Sequence, residues 1–348
     1  MRALQLAVVA VIALVQAGAA QATGVKTFKA WYAVCDNVRA CVAFGFPDAD
    51  ADIGGYVRIA RGGAAGAQPV VSLVITADDA PKASAWAVQI DGRPVPGLAT
   101  LPVKAGDDGQ SVQLSPPQGA ALVEALREGH GLEVTGGGKS IFSLDLGGSA
   151  AALLWVDDQQ QRVGTVTALG RKGDKPAAAV PAVPPAPVVR AATIPSQAGL
   201  PGHVPTAVRR ARGRDCTAQP GGDMDAPLIA RLAPGLVLWG PVCDQGAYSI
   251  GNTLMLGDEK GGALRPLRLP YPPGLAERDT NELADPEFEP KTATLSSFAK
   301  GRGIGDCGEV MSWVWDGKAF QLASAQVMTE CHGVPMDDWP SLWATRAR

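Results

Sequence analysis

The sequence predicts a mainly β protein: two disulfide-stapled, β-rich domains, each a sandwich or small barrel, with few helices. Three observations carry that expectation. Apolar and polar residues alternate through many short runs bounded by Gly-rich turns, which is the period of strands. The 6 cysteines fall into couples close in sequence. A Pro/Ala-rich segment divides the chain, so residues 27–169 and 207–348 are expected as two domains joined by a linker over 170–206. A length of 348 residues fits two domains better than one.

Disulfides need an oxidising compartment, and the N-terminus points to one. Residues 1–22 have the build of a signal peptide: Arg2 as the basic start, an apolar region from Leu4 to Val15, and the small-x-small cleavage site Ala20-Gln21-Ala22, with Ala17-Gly18-Ala19 as an alternative cut. The apolar run is short for a bilayer span. No later stretch is apolar enough, so a periplasmic or secreted, soluble chain without an integral membrane segment is expected after cleavage. In that setting the cysteines argue for disulfides, and spacing favours Cys35–Cys41, Cys216–Cys243 and Cys307–Cys331. The 31 basic residues nearly balance 34 acidic ones and form no stripe, so nucleic acid is not expected as a partner.

In the first domain, strands are expected at Trp31–Val34 and Cys41–Phe46 around the turn Asp36-Asn37. A Cys35–Cys41 bridge would staple that hairpin, at about 2 kcal/mol by chain-entropy reasoning. Further strands are expected at Tyr56–Ala60, Val70–Thr76, Trp86–Ile90, Leu132–Thr135, Ser140–Leu146, Leu153–Val156 and Val163–Ala168. One helix is signed at both ends. Ser115 N-caps it, Pro116 takes the first helical position, Gln118 completes a capping box and Gly129 stops it, with Leu122, Val123 and Leu126 as the apolar stripe. The segment P-A-A-A-V-P-A-V-P-P-A-P-V-V that follows lacks core residues and ladder donors. It reads as a semi-rigid extended linker.

The second domain begins with a small basic cluster, Arg209, Arg210, Arg212 and Arg214, read as a solvated linker edge. Leu236–Trp239 is a buried-strand candidate; Tyr248–Leu256, Ala263–Leu269 and Thr292–Phe298 are expected strands, and Pro270 to Pro290 a long acidic loop. The stretch from Gly305 to Gly333 is the centre of the domain. Met311, Trp313 and Trp315 alternate with Val310, Ser312 and Val314, and Asp316-Gly317 suits a two-residue turn. That turn sets Trp313 opposite Phe320 and Met311 opposite Leu322. Strict register then places Cys307 opposite Gln326, so a bulge or bend must bring it to Cys331; the loop closed there is worth about 3.5 kcal/mol. Trp339 and Trp343, four apart, are expected on one side of a short helical turn.

Three motifs carry a resemblance: W-Y-A-V-C-D-N-V-R-A-C, the run S-A-A-A-L-L-W-V-D-D-Q-Q-Q-R-V-G-T-V-T-A-L, and the tail G-R-G-I-G-D-C-G…W-V-W-D-G…F-Q-L…M-T-E-C-H-G…W-P-S-L-W. Together they resemble an exported bacterial family known only as domain of unknown function 1176, over nearly the whole mature chain apart from the linker. The W-Y-A-V-C…C opening also looks like the invasion-associated locus B proteins, secreted or periplasmic factors. Both resemblances imply location and fold, and neither brings a catalytic residue.

Candidate chemistry is sparse. Gly303-Ile304-Gly305-Asp306-Cys307-Gly308 matches G-x-G-x-x-G, but a strand follows it and a cysteine sits inside it; it reads as a turn feeding a disulfide, and no cofactor is expected. Asp48, Asp50 and Asp52 form D-x-D-x-D, yet Ile53 and Ile59 stand where a calcium loop needs Gly and Glu. Of the 3 histidines, His130 follows a helix stop, His203 lies in the linker and His332 adjoins Cys331; none has zinc-site spacing, and no metal is expected. With 8 Trp against 7 Phe, the cluster Trp313, Trp315, Trp339 and Trp343 is either core filling or a candidate binding surface.

The expected function is therefore a non-enzymatic periplasmic module that binds another envelope or secreted protein, or a glycan. The alternatives are a hydrolase of envelope polymers, using carboxylates such as Asp306 and Glu309, and a proteinaceous enzyme inhibitor. Paired carboxylates with raised pKa would mark the enzyme, an exposed Trp patch the binder, and a rigid protruding loop beside a bridge the inhibitor.

Overall fold

The computed structural model describes residues 24–47, 54–76, 82–106, 109–213, 216, 227–275 and 281–347. The expected leader, the D-x-D-x-D aspartates and Arg214 lie outside these residues. The chain is mainly β, with antiparallel sheets, three disulfides and, among the described residues, three α-helices.

The first half is built on a seven-stranded sheet in the order Gly24–Phe28, Trp31–Cys35, Cys41–Gly45, Gly55–Arg61, Val70–Ile75, Gly109–Gln113 and Lys104–Gly106. A second sheet runs Lys139–Asp145, Gly131–Gly136, Ala85–Ile90 and Arg93–Pro94, with Leu101–Pro102 also on Ala85–Ile90. The helix Pro116–Glu128 forms where its caps place it, with the Ser115 N–H donating to Gln118 Oε1 (3.0 Å) and Leu122, Val123 and Leu126 buried. Cys35 and Cys41 face each other across the first hairpin, so the bridge joins directly paired residues.

Two expected strands are not strands. Leu153–Val156 lies inside a helix, Ser149–Gln159, that buries Ala152, Leu153 and Val156 on one side. A short apolar run does not distinguish strand from helix, and the alanines before it favour the helix. Val163–Ala168 is a series of turns with one isolated bridge, Thr165 to Lys175. A buried polar knot explains why. Asp157 accepts from Arg61 Nη2 (2.8 Å), Leu169 N (2.8 Å) and Gly170 N (2.7 Å). Gln160 Oε1 accepts from Arg61 Nε (2.6 Å) and Arg162 Nε (3.1 Å), and Arg162 Nη1 donates to Ala65 O and Thr167 Oγ1. The D-D-Q-Q-Q-R run thus locks the helix to the sheet and to two loops.

The second half has a four-stranded sheet (Leu228–Ala233, Leu236–Gly240, Met255–Gly257, Arg265–Pro266), a three-stranded one (Val242–Gln245, Ile250–Thr253, Glu282–Ala284) and a five-stranded one (Glu287–Glu289, Thr294–Lys300, Gly308–Trp315, Phe320–Met328, Ser341–Ala344). The expected Tyr248–Leu256 strand is thus two short ones, and Ala263–Leu269 shrinks to a two-residue pairing. The Pro270–Pro290 loop contributes two short strands of its own.

The central hairpin forms, in a different register. Trp315 faces Phe320 and Trp313 faces Leu322, with a bulge between Ser312 and Trp313 that sets Met311 opposite Ala325. The cause is the turn. Asp316 Oδ1 accepts from Lys318 N and Ala319 N (both 2.8 Å), and Asp316 N donates to Ala319 O, so the loop has four residues. Near the turn the slip is even, which keeps every side chain on its expected face. The tail differs too: Met336–Asp338 is a 3₁₀ turn, and Trp339 is extended because Pro340 disfavours the helical conformation before it. Trp343 lies in the edge strand, so the two tryptophans do not share a helical side.

The strand Trp31–Cys35 is buried at every position. Trp31, Ala33 and Cys35 belong to the core of the first half. Tyr32 and Val34, with Phe44, Phe46 and Tyr56, belong to a second core with Leu238, Trp313, Trp315, Trp339 and Leu342. The seven-stranded sheet is thus a wall between two cores, and the second core draws on both halves. Polar contacts fix the seam: Tyr32 Oη donates to Val327 O (3.2 Å), and the Asn37 amide donates to Ala344 O (3.0 Å) and accepts from Ala344 N (2.8 Å), as a neighbouring strand would.

The Pro/Ala segment lies along the second half. Val188-Val189 pairs in parallel with Arg346-Ala347, and Ala192 N donates to Trp315 O (2.9 Å). Val180, Val189 and Val204 are buried, which corrects the reading of this segment as lacking core residues.

Asp36 is buried in the first hairpin turn, where its Oδ1 accepts from Val38 N (2.9 Å) and Ala40 N (2.8 Å). Burial nevertheless pushes its carboxyl up to about 6 against those N–H bonds. The folded state holds the proton more tightly than the unfolded chain, so stability from this group is present in acid and is lost as pH rises from about 4 to about 6. Asp36→Asn keeps the acceptor and removes the titration. Urea unfolding across that window should show the wild type losing stability, of order 2 kcal/mol, relative to the variant. Asp157→Ala, which strands buried Arg61, should cost about 3–5 kcal/mol in the same assay.

Candidate functional site

The surface with the strongest marks of function is the loop Gly301–Gly308, at the entry to the central hairpin. Its ends are joined by a hydrogen bond from Gly301 N to Cys307 O (2.7 Å), and Gly305 N donates to Arg302 O (2.9 Å). Cys307 is bridged to Cys331, with Cα atoms 4.9 Å apart. Glycine is required by geometry at one position and packs closely at another. Gly308 has φ +136° and lies so close to Ala299 O that a Cβ would stand 2.1 Å from it; at Gly303 a Cβ would meet the Tyr248 ring at 2.7 Å. The G-x-G-x-x-G spelling therefore serves a tight turn into a disulfide, followed by the strand Gly308–Trp315.

Asp306 is the internal anchor of the loop. Its carboxylate accepts from Arg302 Nε (2.7 Å), Arg302 Nη2 (2.5 Å) and Gly333 N (2.7 Å), tying the loop to the segment behind Cys331. Burial alone would raise the Asp306 carboxyl, but the Arg302 guanidinium and the Gly333 N–H outweigh it and hold it below the ordinary carboxylate range. That is the opposite of a general acid's requirement. Glu309, the other carboxylate considered, sits in the strand opposite Val327. His332 stacks on Phe46 with centroids 4.2 Å apart, and burial pulls its imidazole down. It serves the seam between the halves. His130 is exposed beside Asp91, whose carboxylate accepts from Gly131 N (2.9 Å) and His130 N (3.0 Å).

The loop carries an apolar surface that sequence reading missed. Ile304 is 76% exposed, Tyr248 70% and Met336 43%, and these are three of the seven large hydrophobic side chains exposed among the described residues. Tyr248 packs on Gly303, while Ile304 and Met336 line one cavity of about 650 Å³ with Thr76, Phe298, Asp306 and Pro335. Exposed apolar side chains scattered singly are ordinary; gathered around one rim they mark an interaction surface. The three come from separate stretches of chain, so only the lone Ile304 between glycines could have signalled the patch.

The tryptophans offered as a binding surface do not form one. Trp313, Trp315 and Trp339 are core residues, and Trp343 is half-buried. Their indoles fill the volume between the five-stranded sheet and the seven-stranded wall, and Trp313 Nε1 donates to Pro270 O (2.7 Å). Cys216, Cys243 and Glu282 converge as a metal site would, but the sulfurs are joined to each other, which removes both thiolates.

The family described as Protein of unknown function (DUF1176) matches residues 25–346. The chain is also similar to an uncharacterized protein, YpfG, of Escherichia coli strain K12, at 29% identity over 352 residues, covering 92% of this chain and 93% of that one. No solved structure matches.

The Cys307–Cys331 bridge holds a 24-residue separation closed. The double variant Cys307→Ser/Cys331→Ser should lose about 3.5 kcal/mol in urea unfolding. Gly301 and Gly305 amides should lose protection from hydrogen exchange in the same variant.

Proposed function

The chain belongs to the DUF1176 family, and on its geometry we propose an exported, non-enzymatic envelope module that binds another protein through the bridged loop Gly301–Gly308. The observation that carries this is a rigid loop with an exposed Ile304 at its tip, ringed by Tyr248 and Met336. A loop already ordered by its bridge and by Asp306 loses little conformational freedom on docking, so contact area converts more fully into affinity. An aliphatic tip fits a partner offering an apolar pocket. Within this reading, residues 27–169 and 207–348 are two units docked through the shared sheet.

Export is supported by the leader-like residues 1–22 and by the three disulfides. It is compatible with the finding that no helix among the described residues is long and apolar enough to cross a membrane. An enzyme is one class of partner a bridge-pinned loop fits, which makes inhibition the second reading. The hydrolase reading has less support, because Asp306 is engaged by Arg302 and held ionised.

The test is photo-crosslinking in envelope extract, with the reactive residue placed at position 304 of the oxidised chain and, as control, at exposed Val166. A discrete protein adduct is expected from 304 alone. With the reactive residue moved to the neighbouring exposed Met336, Ile304→Asp should reduce capture of the same protein at least tenfold while changing stability by no more than about 0.5 kcal/mol. Equal adducts from both sites, or capture untouched by Ile304→Asp, would remove the loop from the account.

A further inference from the structure

A second concavity lies away from the bridged loop, and its walls come from four segments distant in sequence. It has a volume of about 850 Å³, within the roughly 300–1,000 Å³ of small-molecule sites. One wall is the Pro/Ala segment at Pro187 and Arg190; another is Pro270 and Tyr271; the floor and far wall are Asp316, Gln321 and Trp343. Each wall is tied in place. Arg346 N donates to Pro187 O (2.8 Å), Ala192 N to Trp315 O (2.9 Å), and Trp313 Nε1 to Pro270 O (2.7 Å). Tyr271 is held edge-on against buried Trp313, with centroids 6.2 Å apart.

We propose that this groove binds an uncharged oligosaccharide. Its chemistry is mixed in a way that selects such a ligand. Proline, tyrosine and tryptophan side chains offer apolar faces suited to the C–H faces of a sugar ring. The polar groups are planar and of both kinds. Arg190 makes no hydrogen bond or ion pair among the described residues, and presents free donors. Gln321 donates to Asp316 Oδ2 (3.1 Å) through its amide nitrogen, leaving its carbonyl oxygen as an acceptor. The Ala319 and Lys318 N–H groups hold the Asp316 carboxyl below its usual range, so it lines the groove as an anion.

One fixed cation and one fixed anion balance, so neither an acidic nor a basic ligand is favoured by charge. Val188, Val189 and Leu322 also line the groove and add to its apolar faces; hydroxyls, which both donate and accept, match its polar groups. The Pro/Ala segment gains a role here: it is too poor in core residues to fold alone, and it completes the binding cavity of the second half.

The test is titration of the full oxidised chain with four neutral probes, maltotetraose, cellotetraose, chitotetraose and xylotetraose, against a deca-proline peptide as the rival occupant. Binding is read from indole and backbone N–H shifts by NMR. The expected result is saturable binding of at least one tetrasaccharide, with shifts centred on Trp343 and Gln321. Arg190→Ala and Gln321→Ala, both on exposed side chains, should each weaken it at least fivefold in a chain whose spectrum shows it folded. Ile304→Asp should leave it unchanged, which separates this site from the bridged loop. No binding of any tetrasaccharide at millimolar concentration would overturn the proposal. So would binding indifferent to both substitutions, or preference for the proline peptide.

Discussion

The structure depends on burying both faces of one strand. Trp31–Cys35 sends Trp31, Ala33 and Cys35 into one core and Tyr32 and Val34 into another. A strand buried on both sides needs apolar residues throughout, and W-Y-A-V-C supplies them. Each of these large side chains is worth roughly 1.5–3 kcal/mol when fully buried. The sheet therefore cannot be stripped of either neighbour without exposing Trp31 and aliphatic side chains on one face, or tyrosine and phenylalanine rings on the other, to water. The Cys35–Cys41 bridge and the Asn37 contact to Ala344 reinforce the same hairpin from its turn.

The rest follows from that wall. It gives the five-stranded sheet something to pack against, so Trp313, Trp315 and Trp339 become core and not surface. It fixes the end of the central hairpin, where Phe46 holds His332 beside Cys331. The bridged loop is thus mounted on a rigid body, with Thr76 of the first half lining its cavity. The Pro/Ala segment, unable to make a core of its own, is held against the far side by Trp315 and the C-terminal residues. Both concave surfaces are assembled from segments far apart in the chain.

Local signals were legible in the sequence and distant ones were not. Ser115, Pro116, Gln118 and Gly129 placed a helix because capping is chemistry among neighbours. The cysteine spacing gave the couples that the structure joins. Alternation found the central hairpin, but the Asp316 side chain widened its turn from two residues to four, a choice made by one carboxylate. The helix Ser149–Gln159 was missed because A-A-A-L-L-W-V carries too few residues to show its period. Its true signal was the polar run after it, whose Asp157, Gln160 and Arg162 are buried and paired. Of the candidate sites, the loop around Ile304 was visible as a glycine-rich turn. Its partners Tyr248 and Met336 were not, because nothing local brings residues so distant together. The W-Y-A-V-C run carried a sign of the shared core, since five consecutive apolar positions do not suit a strand with one wet face.

Native-state hydrogen exchange across a urea series is the most direct measure of that shared wall. If one sheet serves both cores, amides of Trp31–Cys35 and Phe320–Met328 open together, with the same free energy and the same dependence on urea. A separate, lower-energy opening of Phe320–Met328 that leaves Trp31–Cys35 protected would contradict the account.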